Sequence, residues 1–331
     1  MATTAKETPA QVKNPFPWYA PRFWHGMPSK VWWPLLKRNH WHIDWQRLHF
    51  FASVSAYTPF TDFAAALQHV IYGRKIAATQ LAGPPLFVLG HWRSGTTLLH
   101  ELLRLDDNYG SPNTYQCFAP WHFMLTEGLV TRFGNFLLPD RRPMDNMKAG
   151  WKLPQEDEFA LLALGLSSPY TKVAFPREDA DIDSLSSETF RNSPDLAKWK
   201  ETFAWFMKAI TLCENKPLVL KSPTHTGRIQ LLAEMYPDAH FVHISRHPNA
   251  MIPSTVRLWE SLADVQALQV KCPAQNYEDF VFESFTRMYG GYESGKSQVD
   301  PSRLIEISYE SLVKSPLDTV HAIYDHLKLD G

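Results

Sequence analysis

Apolar residues cluster in short runs through the chain, each followed by a stretch with helical spacing. The run 86–89, Leu-Phe-Val-Leu, is too short for a helix, stops at Gly90 and reads as a buried strand. A loop over 90–95 follows, then an apolar-periodic helix from Thr96. Further strands are predicted at 218–220, 240–245 and 304–308. Ser222-Pro223 supplies an N-cap and an N1 proline for a helix to about Met235, and Pro248 opens another. A last helix is predicted over roughly 310–328. Strands alternating with helices of this length predict an α/β fold, a mainly parallel sheet covered by helices on both faces.

The segment 106–216 reads as a mostly helical, proline-punctuated insert that builds the acceptor side of a site. Ahead of the first strand, 14–80 holds Trp18, Trp24, Trp32, Trp33, Trp41 and Trp45. Positions 62–76 carry helical apolar spacing through Phe63, Leu67, Val70 and Ile71, and basic residues outnumber acidic ones across 22–75. This helical, aromatic-rich region is either a layer packed on the main domain and walling the acceptor site, or an interfacial surface touching lipid headgroups. Residues 1–13 are polar and read as a disordered tail, and 81–331 as the main domain.

At 331 residues with 44% apolar content, the chain can bury a large core. A net charge of −1 leaves no basic field to attract nucleic acid. Cys117, Cys213 and Cys272 are scattered and odd in number, against a disulfide framework or a zinc site and for a reducing, cytoplasmic setting. No run of about 18 apolar residues predicts a membrane span.

The candidate chemistry begins at the first strand end. Strand, glycine-bounded loop and helix form the plan of a phosphate-binding loop. Gly90 and Gly95 have the nucleotide-triphosphatase spacing, but Thr96 stands where that motif needs lysine, and the cation is Arg93. Ser94, Thr96 and Thr97 add hydroxyls, so the loop is predicted to hold an anion other than the β/γ-phosphates of ATP. Arg246 sits just past the strand 240–245, with Ser254 eight residues on, a pair able to grip a second phosphate. Lys221 ends another strand, where it can neutralise a leaving phosphate, and His225 falls in the next turn. Glu156, Asp157 and Glu158 follow Pro154-Gln155, where acidic residues suit a helix start and one carboxylate can serve as a general base. His240 and His243 point to opposite faces of a strand, and no metal is assigned.

Taken together these residues resemble the sulfotransferases that use 3′-phosphoadenosine 5′-phosphosulfate. Arg93-Ser-Gly-Thr-Thr97 is similar to their 5′-phosphosulfate loop, in the arginine-containing form of the tyrosylprotein enzymes. Arg246 and Ser254 resemble their 3′-phosphate clamp, and Lys221-Ser222 their strand-end lysine. Tyr309-Glu-Ser-Leu-Val-Lys-Ser-Pro316 resembles a segment whose tyrosine lies near the adenine. The acidic Gln155–Glu158 run looks like a feature of bacterial-type members. The resemblance covers about 86–328 and implies a P-loop-like fold and sulfuryl transfer to a hydroxyl or amine. It implies Lys221, Arg93 and the helix start as stabilisers of the leaving group, and a base taken in the order Glu158, Glu156, His225, without a metal. The acceptor is a small molecule, lipid or carbohydrate; acceptor identity and oligomeric state are not legible.

Three departures accompany it. Pro223 stands where phenol and steroid enzymes carry a histidine, the tyrosylprotein enzymes take their glutamate nearer the loop, and the family continues beyond the position of Gly331 with a basic closing segment. A truncated chain, or closure by the N-terminal aromatic region, is the expectation. The rivals are a small-molecule kinase, which needs a loop lysine and an acidic strand end for magnesium, and a non-catalytic nucleotide-binding scaffold.

Overall fold

The computed structural model describes residues 17, 19–142, 147–270 and 277–330. The 1–13 tail, Trp18 and Cys272 lie outside the described residues. Four strands, β1 (Leu86–Leu89), β2 (Val219–Lys221), β3 (His240–Ser245) and β4 (Leu304–Ser308), form one parallel sheet in the order β2-β1-β3-β4. Among the described residues the α-helices run α1 (Ser29–Arg38), α2 (Leu48–Ala78), α3 (Thr96–Leu103), α4 (Thr114–Phe118), α5 (Phe123–Phe133), α6 (Asp157–Ala163) and α7 (Thr171–Ala174). They continue as α8 (Ser187–Phe190), α9 (Leu196–Glu214), α10 (Ile229–Met235), α11 (Pro248–Gln266), α12 (Tyr277–Gly295), α13 (Tyr309–Lys314) and α14 (Pro316–Leu327).

The strands are apolar on both faces because both faces are covered. Phe87, Leu89, Leu220 and Phe241 pack into a large core with the insert, the N-terminal helices and α9–α12. Leu86, Val88, Val219, Val242 and Ile244 pack the other way, against α3 and α14. Trp24, Trp32, Leu36 and Ile76 belong to the larger core, so the aromatic N-terminal region is packed on the sheet domain, while Trp41 and Trp45 stay exposed.

The register places the functional loops. Val88 pairs with Lys221, Leu89 with His243 and Ser245 with Ser308. The residues just past those pairs therefore share one edge of the sheet. The strand order reverses between β1 and β3, and ligands of open parallel sheets bind at such a switch point.

Two helices differ from the sequence expectation. The helix expected from Pro223 starts as a 3-10 stretch, Pro223–Arg228, before α10. Ser222 makes no cap bond there; its Oγ instead accepts from the Glu158 backbone N–H at 2.9 Å. The expected 310–328 helix is divided at Ser315-Pro316, since proline pushes the preceding residue out of helical geometry.

Candidate active site

The loop after β1 is held open by backbone conformations that few residues tolerate. Gly95, at the N-cap of α3, has φ +105°, and Arg93 has φ +68°. A Cβ on Gly95 would stand 2.5 Å from the Tyr309 ring, so that glycine lets the tyrosine close against the loop. The Gly90 N–H donates to Thr226 Oγ1 at 2.8 Å, and Thr255 of α11 donates to the Trp92 carbonyl at 3.0 Å. The first turn of α3 has no preceding carbonyls for its N–H groups, which leaves them, with the positive helix end, to an anion.

Two arginines meet at this loop. Arg93 Nε donates to Ser254 Oγ at 3.1 Å, and Arg246 Nη1 donates to the Arg93 carbonyl at 3.0 Å. The Arg246 guanidinium lies 4.3 Å over the Tyr309 ring. Arg93, Arg246, Ser254 and Tyr309, four positions from three strand ends, form one cluster. Thr97 is half-buried beside it, whereas Ser94 and Thr96 are buried; the Ser94 hydroxyl has no hydrogen-bond partner among the described residues.

The acidic run before α6 docks on the basic positions after β2. Glu156 Oε1 accepts from Lys221 Nζ at 2.7 Å, Asp157 Oδ2 lies 2.6 Å from His225 Nε2, and Glu158 Oε2 accepts from Arg228 at 2.7 Å. The three pairs differ in what surrounds them. Glu158 and Arg228 are both 0% exposed, and Glu158 also accepts from Thr224. Asp157 and His225 are equally enclosed. Glu156 alone reaches a cleft, of about 1010 Å³ including its mouth, whose wall includes Phe23, Phe118, Leu138, Phe159 and Leu258.

The candidate bases differ in their access to the cleft. Glu158, placed first, has its carboxylate spent on Arg228 and Thr224 inside the core, out of an acceptor's reach. His225 is enclosed as well, with Nε2 against Asp157. Three groups escaped the sequence reading. Tyr170 donates to Glu156 Oε2 at 2.5 Å and accepts from Trp92 Nε1 at 2.9 Å, which links the loop to the carboxylate. Burial, with Glu156 beside it, raises the Tyr170 pKa well above the ordinary tyrosine value, so the hydroxyl stays a donor. Glu101 of α3 also lines the cleft. Arg228 was passed over, although it follows Lys221 and His225 in the same order as the three carboxylates they face.

Burial alone would raise the Asp157 pKa, but His225 beside it and the hydrogen bond between them lower it below the ordinary aspartate value. A depressed carboxylate stabilises the fold above its unfolded pKa of about 3.9 and loses that contribution as pH falls through the folded value. Asp157→Asn should therefore melt below the parent at neutral pH, with the gap narrowing below about pH 4. Melting curves across that range check it; a gap constant down to the acid end counts against the pair.

An anion-cradling loop after a central parallel strand, faced by cations from neighbouring strand ends, defines a P-loop-like group transferase. The profile of the Sulfotransferase family matches residues 84–330, and the chain belongs to that family. It is 36% identical over 312 residues to the omega-hydroxy-beta-dihydromenaquinone-9 sulfotransferase Stf3 of Mycobacterium bovis, spanning 94% of this chain and 80% of that protein. Stf3 of Mycobacterium tuberculosis gives the same figures. Sulfotransferase STF1 from Mycobacterium tuberculosis H37Rv shares the fold at TM-score 0.64 and 18% identity, over 94% of this chain and 85% of that one. STF9 from Mycobacterium avium does so at TM-score 0.63 and 18% identity, over 92% and 84%. The protein is a sulfotransferase, and the kinase and scaffold alternatives fall away.

Proposed function

We propose that the enzyme moves the sulfuryl group of 3′-phosphoadenosine 5′-phosphosulfate onto a hydroxyl of a long apolar acceptor, with Glu156 as the base. The observation that carries this reading is the Lys221–Glu156 pair, which joins the strand end beside the loop to an apolar cleft. Arg93, Gly95 and Thr97 would hold the 5′-phosphosulfate, with Ser94 and Thr96 buried beneath them shaping the loop. Arg246 and Ser254 would hold the 3′-phosphate, and Tyr309 the adenine.

In the cleft Glu156 takes the hydroxyl proton as the acceptor oxygen bonds to sulfur. The bond from sulfur to the bridging phosphate oxygen breaks in line, and Lys221 neutralises the charge left on that oxygen. The products are a sulfate ester, adenosine 3′,5′-bisphosphate and the proton on Glu156. Phenylalanine and leucine walls leading to the Glu156 carboxylate suit a greasy chain that ends in a hydroxyl. The relative named for an omega-hydroxylated menaquinone supports a lipid alcohol here.

Arg246→Ala removes the charge-assisted partner of the 3′-phosphate, so affinity for adenosine 3′,5′-bisphosphate should fall roughly 10- to 100-fold. Calorimetry measures it, and unchanged affinity removes the clamp. Labelled phosphosulfate donor offered with alcohols of increasing chain length tests the acceptor. A rate that rises with chain length is expected; indifference to chain length rejects a lipid alcohol.

A further inference from the structure

We propose that the outer face of α2 is a membrane-docking surface, seating the enzyme on the leaflet from which its acceptor enters the cleft. The delivery of acceptor rests on the lipid-alcohol reading above; the docking itself does not. The helix carries apolar residues on its outer face as well as its inner one. Its buried face carries Phe50, Val54, Ala64 and Ile76, with three polar residues among them, Thr58, Thr61 and Gln68. Each has a protein partner: Thr58 and Ser29 share a hydroxyl bond of 3.2 Å, Thr61 donates to the His25 carbonyl, and Gln68 accepts from the Met124 N–H at 2.8 Å. The opposite face presents Phe63, 69% exposed, and Val70, 79% exposed, with Phe60, Leu67 and Ile71 between and beside them. A surface helix of a water-soluble protein keeps its outer face polar. A contiguous exposed apolar strip of this kind marks an interface.

Charge selects the occupant. From Leu48 to Gly73 the sole residue among Asp, Glu, Lys and Arg is Asp62, which accepts from the Ser29 N–H at 2.9 Å. An apolar leaflet could therefore cover the face without stranding a charge. Arg74 continues the row of Phe63, Leu67 and Val70 at helical spacing, and Lys75 follows, both exposed. An apolar strip closed by cations fits lipid acyl chains under anionic headgroups. A second copy of the chain would bring its own cations to the interface and no carboxylate on this face to receive them.

The strip also leads toward the cleft. Phe60 packs edge-on at 5.5 Å against His122, at the head of α5. That helix exposes Leu129 and Phe133, and the chain then runs through exposed Phe136 to Leu138 and Pro139 on the cleft wall. An alcohol leaving the leaflet would meet apolar surface up to the mouth.

The test is co-sedimentation of the full chain with phosphatidylcholine vesicles, with and without phosphatidylglycerol, beside a variant carrying Phe63→Glu and Val70→Glu. Binding that is stronger on anionic vesicles and falls at least about tenfold in the variant is expected. Affinity for adenosine 3′,5′-bisphosphate should be unchanged, which shows that the variant is folded. Wild-type protein that ignores both vesicles overturns the proposal, as does a variant that binds equally well. A wild-type dimer that the variant converts to monomer, without vesicle binding, assigns the face to a second copy and overturns it too. Vesicle binding that persists while no long-chain alcohol is sulfated upholds the docking and rejects the lipid-alcohol reading alone.

Discussion

Lys221→Ala should lower kcat about 100- to 1000-fold while leaving affinity for adenosine 3′,5′-bisphosphate within a few-fold of the parent. The lysine is 2% exposed at the C-terminal end of β2, level with Val88 at the root of the anion loop. An ammonium in so enclosed a place is already desolvated and positioned, so it need not reorganise when charge develops on the leaving oxygen. Its removal is felt in the transition state more than in the ground state, where Arg93, Arg246 and the start of α3 still hold the nucleotide. The variant also leaves Glu156 with Tyr170 as its remaining hydrogen-bond donor, which puts the expected loss near the upper end. Steady-state turnover beside calorimetry separates the two effects. A higher KM for the donor with unchanged kcat would mean that Lys221 contributes uniform binding and no selective stabilisation of the transition state.

The sheet was legible in the sequence because its signals are local. Gly90 stops β1, Pro248 opens α11, and apolar runs too short for helices mark β3 and β4 at their observed bounds. The place of the loop after β1 was legible for the same reason, since Arg93 to Thr97 are contiguous. The convergence of Arg246 on that loop needed one topological inference, that strand C-termini share an edge, and the parallel register bears this out. What stayed hidden depends on pairing between distant segments. Nothing near Tyr170 marks it as the donor to Glu156, fourteen residues back. The acidic run after Pro154 announced a helix start, but which of its carboxylates faces the cleft depends on how α6 rolls against 221–228. Side-chain direction over three successive positions at a helix start cannot be taken from composition, so the order Glu158, Glu156, His225 was set without it. The α2 strip was visible as apolar spacing at Phe63, Leu67, Val70 and Ile71. That spacing reads equally as a buried face, and only the exposure of those four side chains in the folded chain decides between the two.

Glu156→Gln and Glu158→Gln should separate chemistry from folding, although the two residues are two positions apart. Glu156→Gln keeps the shape and the hydrogen bond from Tyr170 but removes the basic oxygen at the cleft, so kcat should fall roughly 100- to 10,000-fold. Nucleotide affinity should hold, because Arg93, Arg246 and Tyr309 lie on the other strand ends. The fold should be disturbed less than by Glu158→Gln, since Glu156 lines the cleft and the amide oxygen can still accept a hydrogen bond. Glu158→Gln removes the charge opposite Arg228, which is 0% exposed and packed near the Phe190 and Trp199 rings. A guanidinium stranded in such a place costs about 3–5 kcal/mol, a large part of the stability of an ordinary domain. Glu158→Gln should accordingly lower the melting temperature and yield, with the soluble fraction retaining near-normal turnover. Folded Glu158→Gln protein without activity, beside an active Glu156→Gln enzyme, would return the base to Glu158 and require α6 to roll open when the acceptor binds. The three ion pairs along 156–158 thus divide their work by depth. The two enclosed pairs fix the helix against the 3-10 turn after β2, and on the proposed reading that fixation keeps Glu156 at the cleft.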